Sequence, residues 1–248
     1  MSRYFLEVAY KGTGYSGFQS QQNANSIQAE VEKAFKILQK KNVIMTGSSR
    51  TDAGVHALQN YFHFDYEEQI HGDFIYKMNA ILPGDIVVKK LSLVNKESHS
   101  RFDAISRQYR YYIYGQKDPF LRDRAFYFPY KMDIDKLQEA AQILKGYTDF
   151  TSFSKRNTQA KTFVCELAES KWFIKDNCLI YEVKANRFLR GMVRALTATM
   201  LLVGRSKISI KEFRAIIEEK NCTKASFAVP PQGLFLVSVE YPLGWFKT

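Results

Sequence analysis

Cysteine is scarce: Cys165, Cys178 and Cys222 are scattered over 248 residues without a CxxC pair. That excludes a disulfide framework and a thiolate zinc site, and leaves buried free thiols as the expectation. Histidine is nearly as rare. His56, His63, His71 and His99 lack metal-ligand spacing, which removes hydrolytic zinc chemistry of the deaminase kind, so no metal is expected. A long apolar run is missing as well. The nearest approach, Phe188 to Gly204, is interrupted by Arg190 and Arg194, whose burial at mid-bilayer is costly, and it is not a membrane helix. The opening MSRYFLEVAY alternates like a strand and has neither the apolar stretch nor the small-residue cleavage site of a secretory signal. A cytoplasmic protein is expected. Low-complexity segments and short solenoid-type repeats are absent too.

What is present is the composition of an ordinary soluble globular protein, 46% hydrophobic and 25% charged. The length suits one large domain or two intimately packed halves. Charge is lopsided: 36 Lys and Arg against 25 Asp and Glu give +11 and a pI near 9.4. Such a field gathers polyanions, which makes nucleic acid the leading partner class. Fifteen Tyr and 19 Phe supply ample material for base stacking, although most Phe in a globular chain is core.

Residues 3–10 read as a strand, and KGTGYSGFQSQQNANS (11–26) as a long, exposed polar loop. Ile27, Val31, Ala34, Phe35 and Leu38 follow helical spacing, with Asn25 or Ser26 available as the cap. Strands are expected at 43–46, 60–66 and 86–94, with a helix around 73–81. The second half restarts at RQYRYYIY (107–114). It continues with a helix near 133–145, a hairpin of 162–174 with 178–185, helices at 187–203 and 209–219, a proline-containing loop at 228–233 and a last strand at 234–241. The fold class is α+β with predominantly antiparallel sheet.

The chemistry concentrates in SSRTDAGVHA (48–57), which sits between strands and packs Arg, Thr, Asp, Gly and His into one loop. By its residues alone this is an ordinary turn, with Asp52 bonding nearby amides and Gly54 supplying a positive φ. On strand 107–114 the period of two places Arg107, Tyr109 and Tyr111 on one face. Arg187, Arg190 and Arg194 stand at i, i+3 and i+7 on the expected helix 187–203, a basic stripe suited to RNA phosphates or to solvent.

Five segments in order resemble the TruA family of tRNA pseudouridine synthases. They are YKGTGYSGFQSQ (10–21), SSRTDAGVHA (48–57), SRQYRYYI (106–113), FLRGMVR (188–194) and PPQGLFL (230–236). Ser49 stands where the family pattern, GRTDxGVHA, has Gly. The resemblance implies two similar α/β halves packed together, residues 1–105 carrying the catalytic Asp loop and 106–248 carrying the tyrosine strand and basic helix, with an active-site cleft between them. It implies isomerisation of uridine to pseudouridine at positions 38, 39 and 40 of the tRNA anticodon stem-loop, by a homodimer and without a cofactor. Asp52 is then the catalytic carboxylate, and Tyr109 stacks on the base and handles the C5 proton. Arg194 pairs with the aspartate, Arg50 contacts the RNA or the flipped base, and Leu234 lies beneath that base. Arg187 and Arg190 are candidates for phosphate contact, and His56 closes the signature. Two rivals are a non-catalytic RNA-binding or RNA-folding protein and a synthase of this family with another RNA target.

Overall fold

The computed structural model describes residues 1–70, 72–156 and 160–246; His71 lies outside them. The chain divides into two compact units, one of residues 1–105 with 235–248 and one of residues 106–234. The architecture is α+β with mostly antiparallel strands.

In the first unit β1 (Ser2–Tyr10), β2 (Thr46–Gly47), β3 (His56–Tyr66) and β4 (Ile86–Val94) are joined by β9 (Leu234–Glu240), and the sheet runs β4-β1-β3-β9 with β2 added on β3. All pairings are antiparallel except β3 with β9, where His56 faces Phe235. Two helices complete it, α1 (Ile27–Gln39) and α2 (Phe74–Ile81). Ser26 starts α1 as an extended cap whose hydroxyl accepts from Ala29 N–H, and Ile27, Val31, Ala34 and Phe35 form its buried stripe.

Strand β3 is buried on both faces, which its sequence explains. Phe62, Phe64 and Tyr66 meet Phe18 and Phe35 on one side. Tyr61 meets Tyr241 and Phe246 on the other, and His63 meets His99 there. Both faces therefore read as apolar or aromatic rather than alternating.

Loop 11–26 is less exposed than its polarity predicts. Tyr15 and Phe18 are buried, and residues 12–14 form a single 3-10 turn. The loop folds inward because two glycines admit close contact. A Cβ on Gly12 would lie 2.0 Å from the Val55 carbonyl oxygen, and Gly17, at φ +109°, faces the Thr51 carbonyl. Val43–Met45 is not a strand either. The Met45 amide and carbonyl are taken by the Glu32 and Gln28 side chains of α1, leaving no ladder for a neighbour.

The second unit contains β5 (Ser106–Tyr114), β6 (Phe126–Tyr127), β7 (Leu167–Lys175) and β8 (Cys178–Ala185), ordered β5-β8-β7 and antiparallel, with β6 parallel to β5. Asp176 and Asn177 both hold positive φ, as a two-residue turn matched to strand twist requires. Residues 162–166 precede the hairpin instead of extending it; Cys165 N–H bonds the Thr148 carbonyl and Phe150 N–H the Phe163 carbonyl. The helices are α3 (Ile134–Leu144), α4 (Met192–Gly204) and α5 (Ile210–Glu218), the last opened by a Ser209–Glu212 capping box.

Helix α4 begins at Met192, not at 187, because Gly191 sits at φ +74° and breaks the helical path. Arg187 and Arg190 therefore lie in the preceding connection, and the i, i+3, i+7 basic stripe does not exist. Only Arg194 is helical. Most of α4 is buried, and Gly204 lets Leu137 of α3 close upon it. Among the described residues no helix is long and apolar enough to cross a membrane.

Candidate active site

Asp52 and Arg50 belong to the first unit; Tyr109, Arg187, Arg190, Arg194 and Leu234 belong to the second.

Residues 48–55 form an irregular connection from β2 to β3. It closes with a turn in which Val55 N–H donates to the Asp52 carbonyl at 3.2 Å, and Gly54 holds φ +78° at the third position. Asp52 is half-buried and Arg50 exposed, whereas Ser48, Ser49 and Thr51 are buried. The side chains thus alternate between anchoring the loop and facing outward. Ser49 is absent from the residues with positive φ, so the serine in place of the family glycine adopts ordinary backbone without strain.

Loop 11–26 braces this connection. Phe18 N–H donates to the Thr51 carbonyl at 3.1 Å, and Gly12 N–H donates to His56 Nδ1 at 3.1 Å. His56 is 1% exposed and stacks on Phe235 with ring centroids 4.5 Å apart. Accepting at Nδ1 leaves Nε2 to carry the proton of the neutral ring. His56 is thereby an anchor for the first loop, and sequence reasoning left its role open.

In the second unit the period of two is kept: Tyr109 and Tyr111 are both buried. Tyr109 meets the ring of Phe188 edge-on at 5.1 Å, which holds its plane. Tyr111 is 0% exposed, and its hydroxyl donates to the Pro230 carbonyl at 2.6 Å. Burial pushes that phenol's pKa well up, while the nearby Arg194 charge pulls the other way. Arg194 donates Nε and Nη2 to the Val229 carbonyl at 3.0 and 2.7 Å.

Arg194 and Tyr111 together hold consecutive carbonyls of the segment leading to the 3-10 turn Pro231–Gly233 and to Leu234. A Cβ on Gly233 would lie 2.7 Å from the Tyr111 ring, so glycine is needed for that approach. Leu234 is 7% exposed. Tyr111 was not singled out by sequence. Its signal is the tyrosine two places after Tyr109 on the same buried face, opposite a Pro-Pro-Gln-Gly stretch. The fold brings Arg194, Tyr111 and the segment before Leu234 together. Arg187 is half-buried and Arg190 exposed, off the helix, where the Arg190 carbonyl accepts from Lys155 N–H.

Among the described residues no group of three or more His, Cys, Asp or Glu is gathered to hold a metal ion. Cys165 and Cys178 are buried and Cys222 is half-buried, all three as free thiols. Burial pushes the Cys165 thiol up to about 11, far from the range of a reactive thiolate.

A family model described as tRNA pseudouridine synthase matches residues 140–242. The tRNA pseudouridine synthase A of Bacteroides fragilis is 45% identical over 250 residues, covering 100% of this chain and 99% of its own. That of Azobacteroides pseudotrichonymphae is 43% identical over 248 residues and 100% of both chains. The Parabacteroides distasonis protein of the same name is 43% identical, covering 98% and 97%. With this identity sustained along the whole length, the chain belongs to the tRNA pseudouridine synthase A family.

Proposed function

We propose that this protein isomerises uridine to pseudouridine in tRNA, at positions 38, 39 and 40 of the anticodon stem-loop, with Asp52 as the reacting carboxylate. The supporting observation is that relatives named for this activity match the chain end to end, while the single carboxylate of loop 48–57 is Asp52, half-buried within a firmly braced segment.

The reaction breaks the bond between the base nitrogen and the ribose carbon, turns the base, and rejoins it through C5, whose proton leaves. No oxidation or reduction occurs, so the chemistry needs no cofactor. A carboxylate serves by attacking the electrophilic sugar carbon or base C6 as the glycosidic bond weakens. Tyr109 gives the extruded base a flat surface and receives or passes on the C5 proton. Arg194 is the active-site arginine that the family resemblance assigns, Arg50 holds the RNA or the flipped base, and Leu234 supports the base from beneath. Arg187 and Arg190 contact phosphates. The protein acts in the cytoplasm as a homodimer, which spreads one tRNA over a larger basic surface.

The test is tritium release from unmodified tRNA carrying [5-³H]uridine, without added metal, for the wild type and for Asp52→Asn. Release by the wild type alone supports the assignment. Release by both removes Asp52 from the mechanism. Binding without release by the wild type turns the reading toward an RNA-binding protein. Mapping the released sites on the tRNA tests positions 38 to 40, and sedimentation at equilibrium tests the dimer.

A further inference from the structure

A buried polar chain runs beneath the Asp52 loop through an otherwise aromatic part of the first unit. Asn60 of β3 is 0% exposed and lies on the same strand face as Phe62 and Phe64. Its Nδ2 donates to the Tyr10 hydroxyl at 3.1 Å and to the Ser49 carbonyl at 2.9 Å. Its Oδ1 accepts from Ser48 Oγ at 2.7 Å and from the Tyr61 backbone N–H at 2.9 Å. Two donors and two acceptors are all that a carboxamide offers. The Tyr10 hydroxyl in turn lies 2.8 Å from Thr51 Oγ1, so the chain ends one residue before Asp52.

Backbone pairing of β3 with β1 shifts register between Asn60 and Ala57, and one Asn60 bond, from the Tyr61 N–H, serves the strand itself; the other three leave it for Tyr10 and the loop. An apolar side chain among these phenylalanines would avoid desolvating an amide. What these bonds accomplish is to fix Ser48 and Ser49 directly and Thr51 through the Tyr10 hydroxyl.

We propose that Asn60 and Tyr10 are positioning residues for the isomerisation: through Ser49 and Thr51 they set the direction in which the Asp52 carboxylate leaves its loop. The inference rests on the reading of Asp52 as the reacting carboxylate. A misplacement of about 1 Å costs a reaction roughly 10²-fold, whereas affinity for tRNA is spread over many phosphates. Damage to the chain therefore appears in kcat and leaves KM and tRNA affinity unchanged.

The experiment compares full-length Asn60→Leu, Tyr10→Phe, Thr51→Val and Thr51→Ser with the wild type by tritium release. Active enzyme is counted by tRNA-binding stoichiometry, and Asp52→Asn serves as the reference. Tyr10→Phe and Thr51→Val should lower kcat about 10-fold and Asn60→Leu up to about 100-fold, with KM and Kd held. Thr51→Ser, which keeps the hydroxyl, should recover most of the loss. Should Asn60→Leu not fold, Tyr10→Phe and Thr51→Val carry the test. Unchanged kcat in those two beside an inactive Asp52→Asn overturns the positioning role and leaves the Asp52 reading standing. A kcat loss that merely tracks the folded fraction also overturns it. An active Asp52→Asn removes both.

Discussion

A side chain at Gly12 has nowhere to go, since its Cβ would sit 2.0 Å from the Val55 carbonyl oxygen, three residues from Asp52. Gly12→Ala should therefore destabilise the protein by about 1–3 kcal/mol, read by urea denaturation, and lower kcat through displacement of the signature loop. His63 offers a second residue-scale test. It is 7% exposed, accepts the Ser100 backbone N–H at Nδ1, and has Ser100 Oγ 2.8 Å away. Burial pushes its pKa down to about 4, with the charges of His99 and Arg3 adding to the effect and Asp65 and Asp103 opposing it. The folded state thus refuses a proton that the unfolded chain accepts below about 6.5. Its stabilisation is complete above that pH, falls as the pH drops from 6.5 toward 4, and changes no further below. The loss should reach no more than roughly 3 kcal/mol, and His63→Asn should flatten this part of the stability–pH curve.

At the scale of elements, caps and breaks decided the boundaries. Ser26 is 0% exposed and its hydroxyl holds the Ala29 amide. Ser26→Ala should cost about 1 kcal/mol and lower Tm by about 2–4 °C in a thermal melt. Helix α1, strands β1, β4 and β5, and the hairpin turn were legible because apolar periodicity and turn residues agree in those segments; β3 was legible over 60–66 as an unbroken aromatic run, but its start at His56 was not. Nor was the start of α4. Phe188–Gly191 continues the apolar pattern of Met192 and beyond, and only the positive φ of Gly191 ends it. Periodicity reports which side chains are apolar; it does not report backbone sign. The expected strand 43–46 survives only at Thr46, the first residue of β2, because the Met45 amide and carbonyl are bonded by the Glu32 and Gln28 side chains and not by a partner strand.

For the whole molecule, a net charge of +11 makes tRNA binding an ion-exchange process, with affinity falling steeply as salt rises. Replacing Arg187 and Arg190 together by Gln should weaken binding and reduce the slope of log K against log salt by about 2, measured by filter binding across a salt series. Because the two residues lie in an irregular connection and not on a helix, the change should leave α4 and the thermal melt intact. An unaltered slope would make these two arginines ordinary solvated charges.

Sequence alone determined the family, because five ordered motifs carry chemistry that few chains need. It also determined the α+β class, the loop nature of the Asp52 segment and the positive φ at Gly54, each set by local residue chemistry. Only the tertiary structure decided that the polar opening loop packs inward onto that segment. It likewise decided that His56 anchors Gly12, that Tyr111 and Arg194 clasp residues 229–230, and that Asn60 ties the loop from below. Each of these joins residues of different segments through a buried or part-buried hydrogen bond. A single sequence shows the polar residue but not the partner that makes its burial tolerable.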